Sequence, residues 1–300
     1  MTAMKTYRIY QVDAFTREPF TGNPAGVVAN ADGLTEAQMQ AIARELNNSE
    51  TAFILPPSDD SHDVWVRFFT PTAEVPVCGH ATVSAHFVRA LELGLEHTTV
   101  RQRTGAGVQT VEVTRTGGVP TVTITQSSPG VEPPLPGGIV ARIAAALGVR
   151  ESDLRPDCPV CIATTGHSKV MVPLRDIALL HGLQPDMAAL SAISREIGCN
   201  GYYVFTLHPR EPALVHARMF APAIGLAEDP VTGNGGGPVG AYLVRYGKLR
   251  GDEVRFTAVQ GEAMGRPGRM EVRVLSEAGV PRQVQISGNA VLAFQTELTL

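Results

Sequence analysis

A single carboxylate lies at the junction between two predicted elements. Glu50 follows a stretch whose apolar residues have helical spacing, and it directly precedes the apolar run Ala52–Leu55. Enclosure of this junction by apolar walls would raise the pKa of the carboxyl group toward ~6–7, where a group can both take and return a proton near neutral pH. The sequence therefore predicts acid–base chemistry at Glu50. The alternative is an exposed loop glutamate.

Two glycine-rich turns are the second feature that could do chemistry. Each turn precedes a predicted helix, whose first N–H groups carry partial positive charge and favour a bound anion. The turns therefore predict a binding site for an anionic substrate. The alternative is that the glycines supply only tight turns or close helix packing. The residues assigned to substrate binding are Cys78, Gly79, Thr232, Gly233, Asn234 and Gly235.

Two titratable residues accompany these turns and are candidate catalytic residues. His80 lies in the first turn, and Asp229 lies just before the second. A histidine beside a helix start should have a lowered pKa and can donate a hydrogen bond while neutral. The aspartate could equally be a helix cap. Cys78 is either a thiol acid–base group or a buried inert cysteine, and Thr232 at the equivalent place in the second half excludes a symmetric pair of thiols.

Two familiar motifs lack the neighbouring sequence that their usual functions require. Gly235–Gly240 matches G-x-G-x-x-G, but it follows no buried strand, so dinucleotide binding is not predicted. Cys158 and Cys161 have C-x-x-C spacing, but no second pair completes a zinc site and a β-type run follows. Metal and redox chemistry are therefore not expected at these cysteines.

Composition bounds the class of protein. The 300 residues are enough for about two domains. A net charge of -4 gives no electrostatic footprint for nucleic acid, and no apolar run approaches the ~18 residues that a membrane span requires. The first residues do not read as a secretory signal, and four cysteines fit a reducing compartment. We expect a cytoplasmic enzyme whose partner is a small molecule, not nucleic acid or membrane.

An internal repeat organises the elements that must position these residues. At an offset of 151, the predicted amphipathic helix over residues 35–46 matches residues 186–197, and Arg67 and Phe69 match Arg218 and Phe220. The glycine turns match at an offset of 154, and an earlier Thr-Gly pair matches at 144. Glu50 has Gly201 as its counterpart. The pattern predicts a duplicated domain with two similar lobes.

The repeat also predicts the fold class and the domain bounds. Few strands are separated by regular helical crossovers, so a mostly antiparallel or mixed α+β architecture is expected. The second helix of each lobe is predicted over Ala81–Leu93 and Val239–Tyr246. The proline-rich stretch Ser128–Gly138 is the predicted boundary, which gives lobes of residues 1–128 and 129–300, with C-terminal strands that could complete the first lobe. A small-molecule site is expected in the cleft between the lobes.

Several motifs in chain order closely resemble those of the phenazine-biosynthesis PhzF-type isomerase family. The resemblance spans residues 5 to 300 and implies the diaminopimelate epimerase fold, in which each of two pseudo-symmetric lobes has a central helix wrapped by a curved sheet. The motifs are Tyr10–Phe15, Gly22–Val27, Asn48–Thr51, Phe69–Pro71, Cys78–Thr82, Glu228–Gly233, Gln260–Gly261 and Met264–Pro267.

The resemblance also implies roles for the candidate residues. Glu50 would be the acid–base group that moves a proton between carbons of a carboxylated substrate, with no metal or organic cofactor. His80 and Asp229 match residues that lie around the substrate, and Gly79 and Gly233 would begin the central helices that bind its carboxylate. A homodimer is usual among such proteins.

Two departures from the family pattern leave alternatives open. Asn234 stands where the characterised phenazine enzyme has Ser. Cys78 falls where related epimerases carry one of their two catalytic cysteines, while Thr232 replaces the other. The first hypothesis is a cofactor-independent isomerase. The alternatives are an amino-acid epimerase or racemase that uses Cys78, and a non-catalytic protein that binds small carboxylates.

Overall fold

The computed structural model describes residues 4–207 and 214–300, which divide into two compact units. The first unit contains the chain up to Thr125 together with Ser287–Leu300, and the second contains Gln126–Ile286. The chain thus enters the second unit slightly before the expected boundary at residue 128. Its last segment returns to the first unit because it pairs there with the first strand.

The described residues form a mixed set of strands and helices. The helices are α1 (Glu36–Leu46), α2 (Gly79–Leu93), α3 (Gly137–Leu147), α4 (Ile177–Gly182), α5 (Met187–Ile197) and α6 (Gly233–Arg245). The strands are β1 (Thr6–Ala14), β2 (Asn23–Val28), β3 (Thr51–Leu55), β4 (Val64–Phe69), β5 (Glu74–Val75), β6 (His97–Thr104), β7 (Gly107–Thr116), β8 (Val119–Thr125), β9 (Gly130–Pro134), β10 (Cys161–Thr164), β11 (Lys169–Pro173), β12 (Tyr202–Leu207), β13 (Leu214–Ala221), β14 (Leu226–Asp229), β15 (Glu253–Gln260), β16 (Gly268–Glu277) and β17 (Val280–Thr299).

The first unit surrounds one helix with strands. β1 pairs antiparallel with β2 and with the end of β17, and β2 runs parallel to β3. β3 pairs antiparallel with β4, β4 runs parallel to β6, and β6, β7 and β8 form an antiparallel meander. α2 packs against β1, β2, β3 and β8. Most of its residues are buried, so α2 is the core element of this unit.

The second unit repeats the same sequence of parallel and antiparallel pairings. β11 pairs antiparallel with β10 and parallel with β12, β12 pairs antiparallel with β13, and β13 runs parallel to β15, which pairs antiparallel with β16. α6 packs against β9, β10, β11 and β16 and is almost entirely buried. The predicted mixed α+β architecture with one central helix in each repeat is therefore confirmed.

The repeat holds at the level of single contacts. Phe53 pairs with Arg67 in the first unit, and Val204 pairs with Arg218 in the second, at the predicted offset of 151. Each arginine lies over the ring two residues further on, with its guanidinium carbon 5.1 Å from the Phe69 centroid and 5.0 Å from that of Phe220. The shared register and the matching arginine–phenylalanine contacts are consistent with the predicted duplication.

The helices α1 and α5 each begin directly after a capping residue. Thr35 accepts a hydrogen bond from the Gln38 N–H, and the Gln38 side chain accepts one from the Thr35 N–H, which forms a capping box. Asp186 accepts a hydrogen bond from the Ala189 N–H at the start of α5. Leu34 and Met39 lie in one buried cluster, as a hydrophobic staple requires.

The two central helices begin earlier than their apolar patterns predict. α2 begins at Gly79 and not at Ala81, and α6 begins at Gly233, well before Val239. Glycine has low helix propensity, so the glycine run at the start of α6 reads as a turn in the sequence. Tertiary packing reverses that preference, because a Cβ atom on Gly235 would lie 2.2 Å from Cδ2 of Tyr203. These glycines are required by close packing of the helix.

The proline-rich stretch Ser128–Gly138, which the sequence predicts as the boundary between the lobes, lies just after the start of the second unit and is partly regular structure. It contains β9, which pairs with β10, and the first residues of α3, all within the second unit. Its composition favours a loop, but the pairing partner of β9 lies about thirty residues further along the chain, beyond what local composition can report.

In the described part of the chain, no helix is long and apolar enough to cross a membrane.

Candidate functional site

Glu50 is held at the junction between α1 and β3 by backbone geometry. Asn47 ends α1 in the left-handed conformation, with a φ of 51°, and turns the chain toward β3. The side-chain amides of Asn48 and Gln11 exchange two hydrogen bonds of 2.9 Å, and the Gly26 N–H donates to the Glu50 carbonyl at 3.3 Å. The predicted junction therefore has a fixed backbone, and the Glu50 side chain is 22% exposed.

The start of α2 brings two further candidate residues to Glu50. Nε2 of His80 lies 3.4 Å from Oε2 of Glu50 and 3.3 Å from Oγ of Ser49. Sγ of Cys78 lies 3.4 Å from Nδ1 of His80. One carboxylate oxygen, the thiol sulfur and one imidazole nitrogen all lie within 4.8 Å of one another. We call these three residues, Glu50, Cys78 and His80, the acid–base cluster.

The environment of the acid–base cluster changes the protonation of Glu50. Burial raises the pKa of this carboxyl group above its ordinary value, because removal from water penalises the charged form. Hydrogen bonds with Ser49 and Cys78 oppose the shift without cancelling it. A carboxyl group with a raised pKa accepts and releases a proton more readily near neutral pH than an exposed one.

The first turn of α2 has no side-chain cap. Cys78 occupies the N-cap position without capping the helix, and the first turn carries no acidic residue. The Thr82 N–H and hydroxyl both donate to the Cys78 carbonyl, at 3.0 and 2.7 Å. The first N–H groups of α2 point out of the helix end, as they do in every α-helix.

The second unit holds Asp229 and Thr232 in one buried network. The Thr232 hydroxyl donates to Oδ2 of Asp229, so it does not cap α6. Oε1 of Gln260 accepts the Thr232 N–H at 3.1 Å, and its Nε2 donates to the Asp229 carbonyl at 2.6 Å and to the Thr232 hydroxyl at 3.1 Å. Gln260 is only 1% exposed, and it fixes both neighbours.

Gln260 is not among the site residues that the sequence predicts. Its position within the Gln260–Gly261 motif was the available signal, but the motif does not show which residues the amide contacts. The network shows that one side chain can set the position of the candidate residues Asp229 and Thr232 together.

The glycines that begin α6 have different surroundings. Nε2 of Gln126 donates to the Gly233 carbonyl at 3.1 Å, which fixes the first turn. The Gly235 N–H donates to the Thr232 carbonyl at 3.0 Å, so this N–H is already used within the helix. The direct anion contact expected of Gly235 is thus disfavoured, whereas Gly233 and Asn234 occupy the first two positions, whose N–H groups lack intrahelical partners.

The acid–base cluster also contains ligand types that a metal ion accepts. Zn²⁺ binds carboxylate oxygen, thiolate sulfur and imidazole nitrogen. Within residues 4–207 and 214–300, this is the one group of three such side chains close enough to hold an ion. The C-x-x-C cysteines are free buried thiols, and burial raises the pKa of Cys158 and raises that of Cys161 to about 12. Such thiols are poor nucleophiles and poor metal ligands at neutral pH.

Comparison with known proteins gives the family. The model of the family described as "Phenazine biosynthesis-like protein" (PhzC-PhzF) matches residues 12–296. The chain is 51% identical over 292 residues to the uncharacterized isomerase YddE of Escherichia coli K12, which covers 97% of each chain. It is 34% identical to the trans-2,3-dihydro-3-hydroxyanthranilate isomerase of Pseudomonas chlororaphis, over 93% of this chain and 95% of that protein.

The solved structures agree with this result. The crystal structure of the Bacillus anthracis phenazine biosynthesis protein of the PhzF family superimposes with a TM-score of 0.88, at 31% identity, and covers 99% of this chain and 100% of that one. The family match over residues 12–296 includes parts of both units. The chain therefore belongs to the phenazine biosynthesis-like (PhzC-PhzF) family, and it is an isomerase of that family.

Proposed function

We propose that this isomerase moves a proton between carbon atoms of a small carboxylic acid, with Glu50 as the general acid and base. The observation that carries the proposal is the acid–base cluster, in which the partly enclosed Glu50 carboxylate lies 3.4 Å from His80. Its relative from Pseudomonas chlororaphis is named for an isomerisation of a dihydroaromatic amino acid. An unsaturated or carbonyl-conjugated acid is the corresponding substrate class for this chain.

The proton transfer proceeds in two balanced steps. The Glu50 carboxylate takes a proton from an activated C–H bond, and the electron pair of that bond passes into the conjugated system of the substrate. The neutral carboxyl group then returns the proton to a different carbon, and the carboxylate forms again. The raised pKa of Glu50 favours the return step without removing the base, because it reduces the gap between the pKa of the group and neutral pH.

The helix ends have a separate role in this proposal. The uncapped N-termini of α2 and α6 have no acidic residue in their first turns, so each favours a negative charge. The N-terminus of α2, which begins beside Glu50, stabilises the negative charge that develops on the substrate during transfer, and the N-terminus of α6 offers the same kind of anion site within the second unit. Asp229 is the remaining candidate catalytic residue, and Thr232 and Gln260 hold it in place.

A conversion assay with three forms of the protein tests the proposal. Wild type, Glu50→Gln and Glu45→Gln are incubated with trans-2,3-dihydro-3-hydroxyanthranilate and with a panel of small unsaturated carboxylic acids, and the products are identified by NMR. Glu45 is exposed and lies in the last turn of α1, so its variant is the matched control. We expect Glu50→Gln to lose conversion by about 10²–10⁴-fold. Equal conversion by wild type and Glu50→Gln contradicts the proposal, and wild-type binding without turnover supports a carboxylate-binding protein instead.

A second candidate, an amino-acid epimerase, is favoured by one observation. The Cys78 thiol lies in the acid–base cluster, 3.4 Å from Nδ1 of His80, where the imidazole could take its proton. A thiolate formed in this way could remove a proton from an α-carbon. Cys78→Ser then abolishes epimerisation while Glu50→Gln stays active. The opposite pattern, with Glu50→Gln inactive and Cys78→Ser active, supports the isomerase.

A further inference from the structure

The repeat gives the residues around Glu50, at the junction between α1 and β3, counterparts in the second unit. The Gly26 N–H donates to the Glu50 carbonyl, and the Val170 N–H donates in the same way to the Gly201 carbonyl, at 2.8 Å. The parallel strand pairs have the same register, with Gly26 opposite Thr51 and Val170 opposite Tyr202. Gly201 therefore occupies the position of Glu50, and the second unit has no carboxylate there.

A lysine fills the space beside Gly201. A Cβ atom on Gly201 would lie 2.8 Å from Cδ and 3.1 Å from Cε of Lys169. Lys169 begins β11, and its counterpart in the first unit is Ala25, next to Gly26. The two units therefore differ in where they have a charged side chain at this position. The first has a short side chain on the strand and a carboxylate after the helix, and the second has a long cationic side chain on the strand and no side chain after the helix.

The Lys169 ammonium is buried with little compensation. The residue is 7% exposed, and Nζ donates to the Ser168 carbonyl at 3.1 Å. An ammonium has three donors, and no ion pair among the described residues includes Lys169. Burial lowers the pKa of Lys169, and the negative charge of Asp229 opposes this shift only in part. A buried charge is costly unless an anion pairs with it.

We propose that Lys169 binds the carboxylate of a small carboxylic acid in the second unit. The proposal rests on the proposed function for its ligand class. Its own support is the exchange of residue types around Gly201 and the buried ammonium with unused donors. Charge-assisted hydrogen bonds from an ammonium to a carboxylate are about twice as strong as neutral ones, so Lys169 would select acids over their uncharged analogues.

Calorimetric titration with anthranilate and its neutral analogue anthranilamide tests this role. The full-length wild type is compared with Lys169→Met, which keeps the length of the side chain and removes the charge. Lys248→Met is the matched control, because Lys248 pairs with Asp157 away from this junction. We expect Lys169→Met to bind anthranilate about 10–100-fold more weakly and to bind anthranilamide as wild type does. Lys248→Met should bind both ligands as wild type does.

Two results overturn the proposal. One is a wild type that binds anthranilate no better than anthranilamide. The other is a Lys169→Met variant whose affinities for both probes are unchanged or fall by the same factor. Gly201→Ala provides a second variant that keeps the charge but displaces the Lys169 side chain, and it should weaken binding of anthranilate alone. If it weakens both probes equally or neither, the proposal is wrong.

The experiment separates this inference from the proposed function. Glu50→Gln should keep both affinities and lose only proton transfer, whereas Lys169→Met should lose affinity for the acid. Retained proton transfer in Glu50→Gln overturns the role of Glu50 and leaves the result for Lys169 standing. Unchanged acid affinity in Lys169→Met overturns the inference alone.

Discussion

Nε2 of His80 lies 3.4 Å from Oε2 of Glu50, although one residue begins α2 and the other follows α1. The start of a central helix thereby meets the fixed turn that leads into β3. A carboxylate and an imidazole at this separation can share a proton after modest movement. This contact links the predicted acid–base residue to one of the two uncapped helix ends.

The stability of the protein should depend on pH through Glu50. Since burial raises the pKa of this group in the folded state, the folded protein binds the proton more tightly than the unfolded chain, and stability falls as pH rises from the ordinary value of 4.5 through the raised pKa. Glu50→Gln should therefore melt at a higher temperature than wild type at pH 8, and the difference should shrink toward pH 4.

Melting curves of wild type, Glu50→Gln and Glu45→Gln across this pH range check the prediction. Glu45→Gln should show no such pH-dependent gain. A Glu50→Gln variant with the same difference from wild type at both ends of the range would show that burial does not perturb the carboxylate.

Removal of the Gln260 side chain should reduce both stability and activity. Gln260→Ala leaves the Thr232 N–H and the Asp229 carbonyl without their buried amide partner, so we expect a loss of about 2–3 kcal/mol in the free energy of unfolding. Denaturant titration measures this loss. Gln40→Ala, which removes one hydrogen bond to the Thr70 carbonyl, is the milder control. If Gln260→Ala unfolds as wild type does and converts substrate at the wild-type rate, Gln260 does not hold Asp229 and Thr232 in the site.

A methyl group at Gly235 should destabilise the second unit. The added Cβ would lie 2.2 Å from the fully buried ring of Tyr203, so either the helix or the ring must move, and we expect a loss of about 1–3 kcal/mol. Gly138→Ala in α3 is the control, because nothing lies within 4 Å of its Cβ position and alanine has the higher helix propensity. Denaturant midpoints that rise for both variants would contradict the packing explanation of the glycine run.

Metal ions should inhibit the enzyme and should not be needed by it. The resemblance to the family implies a metal-free reaction, so we expect full activity after treatment with EDTA. Added Zn²⁺ should inhibit reversibly, because coordination by Glu50, Cys78 and His80 occupies the proton-transfer group. Cys78→Ser should weaken this inhibition by about tenfold or more, as expected for the loss of one ligand. Loss of activity with EDTA, followed by recovery with Zn²⁺, would instead identify a metalloenzyme.

The sequence predicts those parts of the fold that depend on local patterns or on the repeat. Helical spacing and capping residues locate α1 and α5, and the offset of 151 pairs Arg67 with Arg218. In the structure the acidic partners of these two arginines also correspond. Arg67 binds Glu74 and Arg218 binds Glu228, each through two parallel hydrogen bonds. Glu74 and Glu228 differ by 154, the offset of the glycine turns.

Other features depend on contacts between distant residues and could not be predicted. The start of α6 at Gly233 agrees with the family resemblance, but the local pattern hides it because its glycines oppose helix formation, and only packing against Tyr203 explains them. Gln260 contacts a network about thirty residues away. Lys169 lies over Gly201 only because β11 and β12 run side by side. In each case the determining neighbour lies far away in sequence, and no local pattern indicates it.

Incorporation of solvent deuterium into a bound acid tests most directly whether Glu50 carries the proton. Wild type and Glu50→Gln are saturated with the same converted acid in deuterated water, with binding verified by the ligand-induced rise in melting temperature, and new carbon–deuterium bonds are followed by NMR. Glu50→Gln should bind the acid as wild type does and incorporate deuterium at least about 100-fold more slowly. Incorporation by Glu50→Gln at the wild-type rate would show that Glu50 does not carry the proton.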